Sequence, residues 1–257
     1  MKKYAIYGKG GIGKSTFTSS LSAAVAGMGY KVIQIGCDPK ADSTANLLGG
    51  KEQTSVLAWL REHDGELPEL EDLVSVGYNG VHCIECGGPT PGIGCAGRGI
   101  ITTFNLLEQL EAFETYEPDF VFYDILGDVV CGGFAAPIRD GYADEVMIVT
   151  SGEKMALFAA RNIYYAVENF RDRNYATVRG VILNRRNIEN EEQRVRAFAE
   201  EAEIPIIGDI PRDGHVQTCE NRNQTVIEGA PDSPAAAAIM QVARDLVADY
   251  EWEKQGQ

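Results

Sequence analysis

The sequence predicts an α/β fold: a mostly parallel sheet flanked by helices on both faces, in a single domain over residues 1–257. Two observations carry this. Short apolar strand patterns alternate with helix-period segments along the whole chain, and that alternation buries a parallel sheet between two helical layers. At 257 residues and 44% hydrophobic, the chain also has enough apolar surface for one large core. No internal repeat, low-complexity tract or linker divides it.

Tyr4–Tyr7 reads as a short buried strand, and Thr16–Met28 as a helix with Phe17, Leu21, Ala24 and Val25 recurring on one face. Lys31–Gly36 is a second strand, ending in the polar loop Cys37–Thr44 at the end where open α/β sheets bind ligands. A short helix is expected over Ser55–Glu62, an irregular Gly- and Pro-rich stretch over Gly77–Gly99, and a helix over Ile100–Phe113. Asp119–Asp124 (DFVFYD) is the clearest buried strand, followed by the loop ILGDVVCGGF. Strand Glu145–Ser151 precedes a helix with Met155, Phe158, Ala159, Ile163, Ala166, Val167 and Phe170 at helical spacing. Strand Val178–Leu183, helix Glu191–Ala202, strand Ile204–Ile210 and helix Ser233–Tyr250 complete the pattern.

Between the first strand and helix lies Gly8-Lys9-Gly10-Gly11-Ile12-Gly13-Lys14-Ser15, then Thr16, which fits G-x-x-x-x-G-K-[ST] in the required strand–loop–helix setting. Backbone N–H groups of such a loop converge on phosphates, and the helix dipole adds to their pull. Lys14 is placed to reach the β/γ-phosphates and the Ser15 hydroxyl to ligate Mg²⁺. The pattern with a second lysine, GKGGxGKS, resembles the deviant Walker A group of P-loop NTPases. That resemblance implies that Lys9 reaches the nucleotide of a partner chain, and hence a dimer.

A strand ending in aspartate is the usual form of a Walker B element, so Asp124 is expected to hold Mg²⁺, directly or through water. Asp38 and Asp128 are the candidates for orienting the attacking water, the bland alternative for each being a turn-forming or capping aspartate. Lys40 and Asp42 lie in the same loop as Asp38, with Asp42 helping on the Mg²⁺ side. Gly127, in D-x-x-G, sits where a backbone N–H senses a γ-phosphate. Residues 38–44 and 124–134 therefore read as two nucleotide-sensing switches.

The net charge of −15 argues against nucleic acid as a partner. No stretch of about 18 apolar residues is present, and MKKYAIYGKGG enters the first strand directly, so neither a membrane span nor a signal peptide is expected. Six cysteines in a chain read as cytoplasmic suggest metal or redox chemistry rather than structural disulfides. Cys83, Cys86, Cys95 and Cys131 fall in glycine-rich segments, CIECGGPTPGIGCAGRG and DVVCGG, of the kind that holds iron–sulfur clusters. Two schemes fit: all four bind a cluster or zinc within one chain, or Cys95 and Cys131 supply two ligands and a two-fold-related chain two more.

Taken together, YGKGGIGKST, GCDPKADST, GGPTPGIGCAGRG, FVFYDILGDVVCGGFAAPIRDG and PRDGHVQTCE resemble the nitrogenase iron protein family and its nitrogenase-like ATP-dependent reductases. The resemblance covers residues 4 to about 228. It implies one 4Fe–4S cluster bridging a homodimer through Cys95 and Cys131, with MgATP as the nucleotide. It places Asn184, Pro211, Arg212, Asp213, Gln217 and Glu220 around the adenine. Cys37 and Cys83 match cysteines that the family does not use as ligands. Cys86 stands where nitrogenase members usually have serine, which leaves an additional ligand or redox thiol open. The sequence also ends soon after its last predicted helix, short of the C-terminal extension of nitrogenase iron proteins. IQIGCDPK and GGFAAP lean towards the dark-operative tetrapyrrole reductases, and GCAGRG with Arg98 towards nitrogenase.

The resemblance further implies ferredoxin or flavodoxin as electron donor and a separate catalytic partner. That partner is a nitrogenase, a tetrapyrrole or nickel-tetrapyrrole reductase, or a sulfur-compound reductase such as methylthio-alkane reductase. Arg98, three residues after Cys95, is expected on the docking face, the alternative being an internal salt bridge. The rival reading is a P-loop ATPase of the partitioning or cluster-scaffold type. Those proteins usually carry C-terminal C-x-x-C or no cysteines, whereas here a cysteine lies inside the second switch.

Overall fold

The computed structural model describes residues 1–88, 96–127, 135–139, 141–173 and 175–256. In chain order its elements are β1 (Lys2–Tyr7), α1 (Lys14–Gly27), β2 (Val32–Gly36), α2 (Val56–Glu62), α3 (Leu70–Leu73), β3 (Ser75–Val76), β4 (His82–Glu85), α4 (Ala96–Gln109), α5 (Ala112–Tyr116), β5 (Phe120–Asp124) and α6 (Ala136–Arg139). There follow β6 (Glu145–Thr150), α7 (Lys154–Glu168), β7 (Thr177–Asn184), α8 (Glu191–Glu201), β8 (Ile206–Ile210), α9 (Gly214–Glu220), α10 (Val226–Gly229) and α11 (Pro234–Gln255). The strands make an eight-stranded sheet in the order β3-β4-β2-β5-β1-β6-β7-β8. The pairs are parallel except β3–β4, which is antiparallel.

Side-chain alternation along the strands divides the interior into two cores. Ala5, Tyr7, Ile33, Ile35, Val121 and Tyr123 face one layer, with Phe104 and Leu107 of α4, Ile163 and Val167 of α7, and Val195 and Phe198 of α8. Tyr4, Ile6, Val32, Phe120 and Phe122 face the other, with Leu21 and Val25 of α1 and Ile239, Val242 and Leu246 of α11. Strands covered on both faces read as unbroken apolar runs, which is why DFVFYD is so plain in the sequence. Each large side chain buried this way contributes about 1.5–3 kcal/mol.

Helix α1 is buried from Phe17 to Ala26. Its serines and alanines let it lie close against β2, and its hydroxyls bond across that contact. Ser22 Oγ donates to Gln34 Oε1 at 2.8 Å, and Gln34 Nε2 donates to Ser19 Oγ at 3.1 Å. Helix ends follow familiar chemistry. Ser55 caps α2 through Ala58 N–H, and Ser233 caps α11 through Ala236 N–H with Pro234 at its first position, each cap worth about 1 kcal/mol.

The structure departs from the sequence expectations at several places, among them α3, α9 and α10, which were not expected. The stretch expected to be irregular contains β4, whose Cys83, Ile84 and Glu85 are buried beside β2. The helix expected over Ile100–Phe113 starts at Ala96 and stops at Gln109; Glu111, at φ 52°, breaks it before α5. In α7 the buried stripe is Ala156, Ala160, Ile163 and Val167, while Met155 and Phe158 are exposed. The last strand begins at Ile206 rather than Ile204, and α11 runs to Gln255.

Candidate functional site

Strand β1 lies between β5 and β6 in the sheet, with Ile6 in register with Asp124. The chain leaving Tyr7 therefore turns over the carboxyl end of β5, and α1 begins at Lys14. Gly13 occupies the position before the helix at φ 90°, in the left-handed region. A Cβ there would lie 2.6 Å from Asn184 Nδ2, which donates to the Ile12 carbonyl at 2.6 Å. Gly127 approaches the same loop from below: a Cβ on it would meet the Gly8 carbonyl oxygen at 1.9 Å. Only glycine allows the two loops to pack backbone to backbone there.

Beneath the loop, Lys14 Nζ bonds Asp124 Oδ1 at 2.5 Å, with Lys14 7% and Asp124 0% exposed. Ser43 Oγ donates to Asp124 Oδ2 at 2.6 Å. Ser43 in turn is held by the α1–β2 network: its carbonyl accepts from Ser19 Oγ at 2.7 Å and Gln34 Nε2 at 3.1 Å. The carboxylate at the end of β5, the loop lysine and the loop after β2 thus form one connected buried unit. Next to it, Glu85 Oε1 accepts from both the N–H and the hydroxyl of Thr44, each at 2.7 Å. Burial, with Asp124 and Asp42 close by, raises the Glu85 carboxyl from its usual range to about 7 against the pull of the Thr44 bonds.

Above this unit opens a cavity of about 870 Å³. Lys9, Gly10, Gly11, Gly13, Lys14, Ser15 and Thr16 form its floor, and Asp38, Lys40 and Asp42 one wall. Asn184, Pro211, Arg212, Asp213, Gln217 and Glu220 form the opposite wall. Thr16 Oγ1 donates to Glu220 Oε1 at 2.5 Å, tying floor to wall. Asp213 caps α9 through His215 N–H at 2.9 Å and accepts from Ala235 N–H at 3.1 Å. Burial opposes the Asp213 charge, but these bonds outweigh it and hold the carboxyl below its usual range. Size, glycine floor, lysine and helix N-terminus suit a nucleoside polyphosphate.

Gly8 and Ile12 are buried within the turn. Arg98 is exposed on the first turn of α4, away from the cavity lining. Cys95, Asp128 and Cys131 lie outside the described residues. Sequence reasoning missed Phe17, Arg185 and Arg186 in the lining, while Pro39 and Leu126 fall within the two stretches read as switches. Arg186 donates to the Gly11 carbonyl, bracing the loop from the end of β7. The signal was present as two adjacent arginines directly after Asn184 in an acidic chain. Of the two cysteine schemes, the one that lets Cys83 and Cys86 chelate together is not built by this fold. The two residues face opposite cores, Cys83 with α1 and α11, Cys86 with α4 and α7.

Fold and loop together define a P-loop NTPase of the deviant Walker A type. Among solved structures, the MinD cell division protein of Aquifex aeolicus superposes with a TM-score of 0.72 at 22% identity, over 96% of this chain and 98% of that one. A ParA family ATPase from Chlorobium tepidum TLS gives 0.72 at 19% identity, over 95% and 98%. At such identities the likeness is one of fold. Sequence goes further. The pattern of the family described as 4Fe-4S iron sulfur cluster binding proteins, NifH/frxC family, matches residues 2–253. A nitrogenase iron protein from Methanospirillum hungatei JF-1 is 52% identical over 254 residues, covering 98% of this chain and 90% of that protein. The chain belongs to this family.

Proposed function

We propose that the chain is the ATP-hydrolysing reductase component of a nitrogenase-like system. It works as a cytoplasmic homodimer that passes low-potential electrons to a separate catalytic protein and couples the transfer to hydrolysis of MgATP. The observation that carries this reading is the buried unit of Lys14, Asp124 and Ser43 in a member of a 4Fe–4S family. A charge arriving above the glycine loop competes with Asp124 for Lys14, and the response passes through Ser43 to the loop carrying Asp38, Lys40 and Asp42.

The backbone of residues 8–16 holds the phosphates, Lys14 pairs with the β/γ-phosphates, and Ser15 and Asp124 hold Mg²⁺ with help from Asp42. Asp38 and Asp128 orient the attacking water. Lys9, exposed at the cavity floor, reaches the partner chain's nucleotide. Asn184, Pro211, Arg212, Asp213, Gln217 and Glu220 enclose the adenine. Cys95 and Cys131 supply two thiolates per chain to one cluster shared by the dimer, a group that accepts and donates single electrons. Ferredoxin or flavodoxin is the donor; a nitrogenase, methylthio-alkane reductase or tetrapyrrole reductase receives the electrons.

Iron analysis of anaerobically purified protein, together with sedimentation, tests the reading. A shared 4Fe–4S cluster gives about two irons per chain in a dimer. Cys95→Ser and Cys131→Ser abolish the cluster absorbance, and Cys86→Ser retains it. A cluster that survives in a monomeric variant overturns the shared scheme.

A further inference from the structure

Gly36 and Glu85 are register partners on the parallel strands β2 and β4, and each is followed by a cysteine. Cys86 N–H donates to the Gly36 carbonyl at 2.8 Å, so the ladder carries the two chains side by side into Cys37 and Cys86. Both side chains turn to the same core, and their sulfurs stand 3.7 Å apart. Neighbouring parallel strands run about 4.8 Å apart, within the roughly 4.4–6.8 Å separation of Cα atoms that a disulfide spans. Closing to an S–S bond of about 2.05 Å needs side-chain rotation rather than displacement of a strand. No other described cysteine competes. Cys83 and Cys219 lie in the opposite core, across the sheet.

We propose that Cys37 and Cys86 are a reversible thiol–disulfide pair, a redox modification site at the root of the loop that carries Asp38 and Lys40 into the nucleotide cavity. The oxidant is a small hydroperoxide. One sulfur, as thiolate, attacks the O–O bond, becoming a sulfenic acid as water or an alcohol leaves. The second thiol attacks that sulfur: the S–S bond forms, the S–O bond breaks, and the hydroxyl departs with the thiol proton as water. Two electrons pass from the sulfurs to the peroxide, and a dithiol reductant returns them.

Both cysteines are buried, and burial together with the contact to Cys86 keeps the Cys37 thiol protonated far above its ordinary range. Attack therefore waits for the loop after Cys37 to open. Asp38, Pro39 and Lys40 line the cavity, and their turn is held by Lys40 N–H to the Asp38 carboxylate at 2.9 Å and Ala41 N–H to the Asp38 carbonyl at 3.0 Å. The chain leaving β4 runs through Cys86 into Gly87 and Gly88, so the bond would fasten this loop to a second loop. Oxidation thus bears on the loop that carries Asp38 and Lys40 into the nucleotide cavity.

The test treats the anaerobic holoprotein with stepwise equivalents of hydrogen peroxide, alkylates remaining thiols in denaturant, and maps peptides after cleavage at Glu85, which separates Cys83 from Cys86. The expected result is one cross-linked peptide joining Cys37 to Cys86, lighter by two hydrogens. Both thiols disappear in parallel and return with dithiothreitol, and saturating MgADP slows the reaction several-fold. Cys86→Ser, a residue the family carries at this position, removes the cross-link; Cys83→Ser keeps it. Cys37 and Cys86 still alkylated at peroxide levels that have bleached the cluster would overturn the pair. A rate unchanged by MgADP would overturn its link to the loop.

Discussion

Replacing Glu85 with glutamine isolates the cost of a buried carboxylate under the nucleotide loop. The side chain is 1% exposed; Oε1 accepts two bonds from Thr44, and Oε2 has no partner among the described residues. Burial first, then the charges of Asp124 and Asp42, raises its pKa from 4.5 to about 7. A carboxyl whose folded pKa is raised binds its proton more tightly folded than unfolded. Its contribution is full below pH 4.5 and lost as pH rises through about 7. At about 1.4 kcal/mol per pKa unit, the loss is about 3 kcal/mol, of which glutamine, neutral throughout, loses none. Glutamine keeps an oxygen for Thr44 and mimics the protonated acid. Anaerobic urea denaturation of both proteins, from about pH 5 to pH 8, supplies the comparison. The stability of Glu85→Gln relative to the parent should rise by about 2–3 kcal/mol across that range. A difference that stays constant with pH would refute the reasoning, since it would mean that Glu85 ionises as freely as in the unfolded chain.

Lys14→Gln leaves Asp124 buried without its cation, at a cost of about 3–5 kcal/mol, and should weaken ADP binding measured by calorimetry. Lys9→Gln, on an exposed side chain, should spare stability and binding but slow steady-state hydrolysis; equal loss of binding in both variants would contradict that division. Arg98→Glu should leave iron content and nucleotide binding intact. Partner-stimulated hydrolysis and electron transfer should fall together, by about 2–5 kcal/mol of association if the arginine pairs with a buried partner carboxylate. Normal partner-dependent turnover would remove Arg98 from the interface.

Much of this was legible in the sequence for physical reasons that differ from place to place. Strand β5 announces itself because both its faces are covered, so FVFY carries no polar interruption. Strand β4 does not: it is four residues long, starts with a half-exposed histidine and ends in a glutamate whose burial no local pattern reveals. In α7 the small Ala156 and Ala160 belong to the buried stripe, so the larger Met155 and Phe158 suggested a face that the helix turns outward. The glycine loop was fully legible because its chemistry is local. Asn184, Arg186 and Glu220 reach that loop across more than 170 residues of sequence. Asn184 and Glu220 were placed by family resemblance alone, and Arg186 not at all. The pairing of Cys37 with Cys86 was equally hidden, since it depends on which strand lies next to β2.

The central claim is that nucleotide and cluster are coupled through the loops that meet at Asp124. Its most direct measurement is an anaerobic redox titration of the cluster, followed by electron paramagnetic resonance, without nucleotide and with saturating MgATP or MgADP. Nucleotide that binds oxidised and reduced protein with different affinities must move the midpoint potential, by about 59 mV for each tenfold difference in a one-electron couple. A shift of at least about that size is expected with nucleotide, abolished in Lys14→Gln. Identical potentials with the site empty and saturated would contradict it.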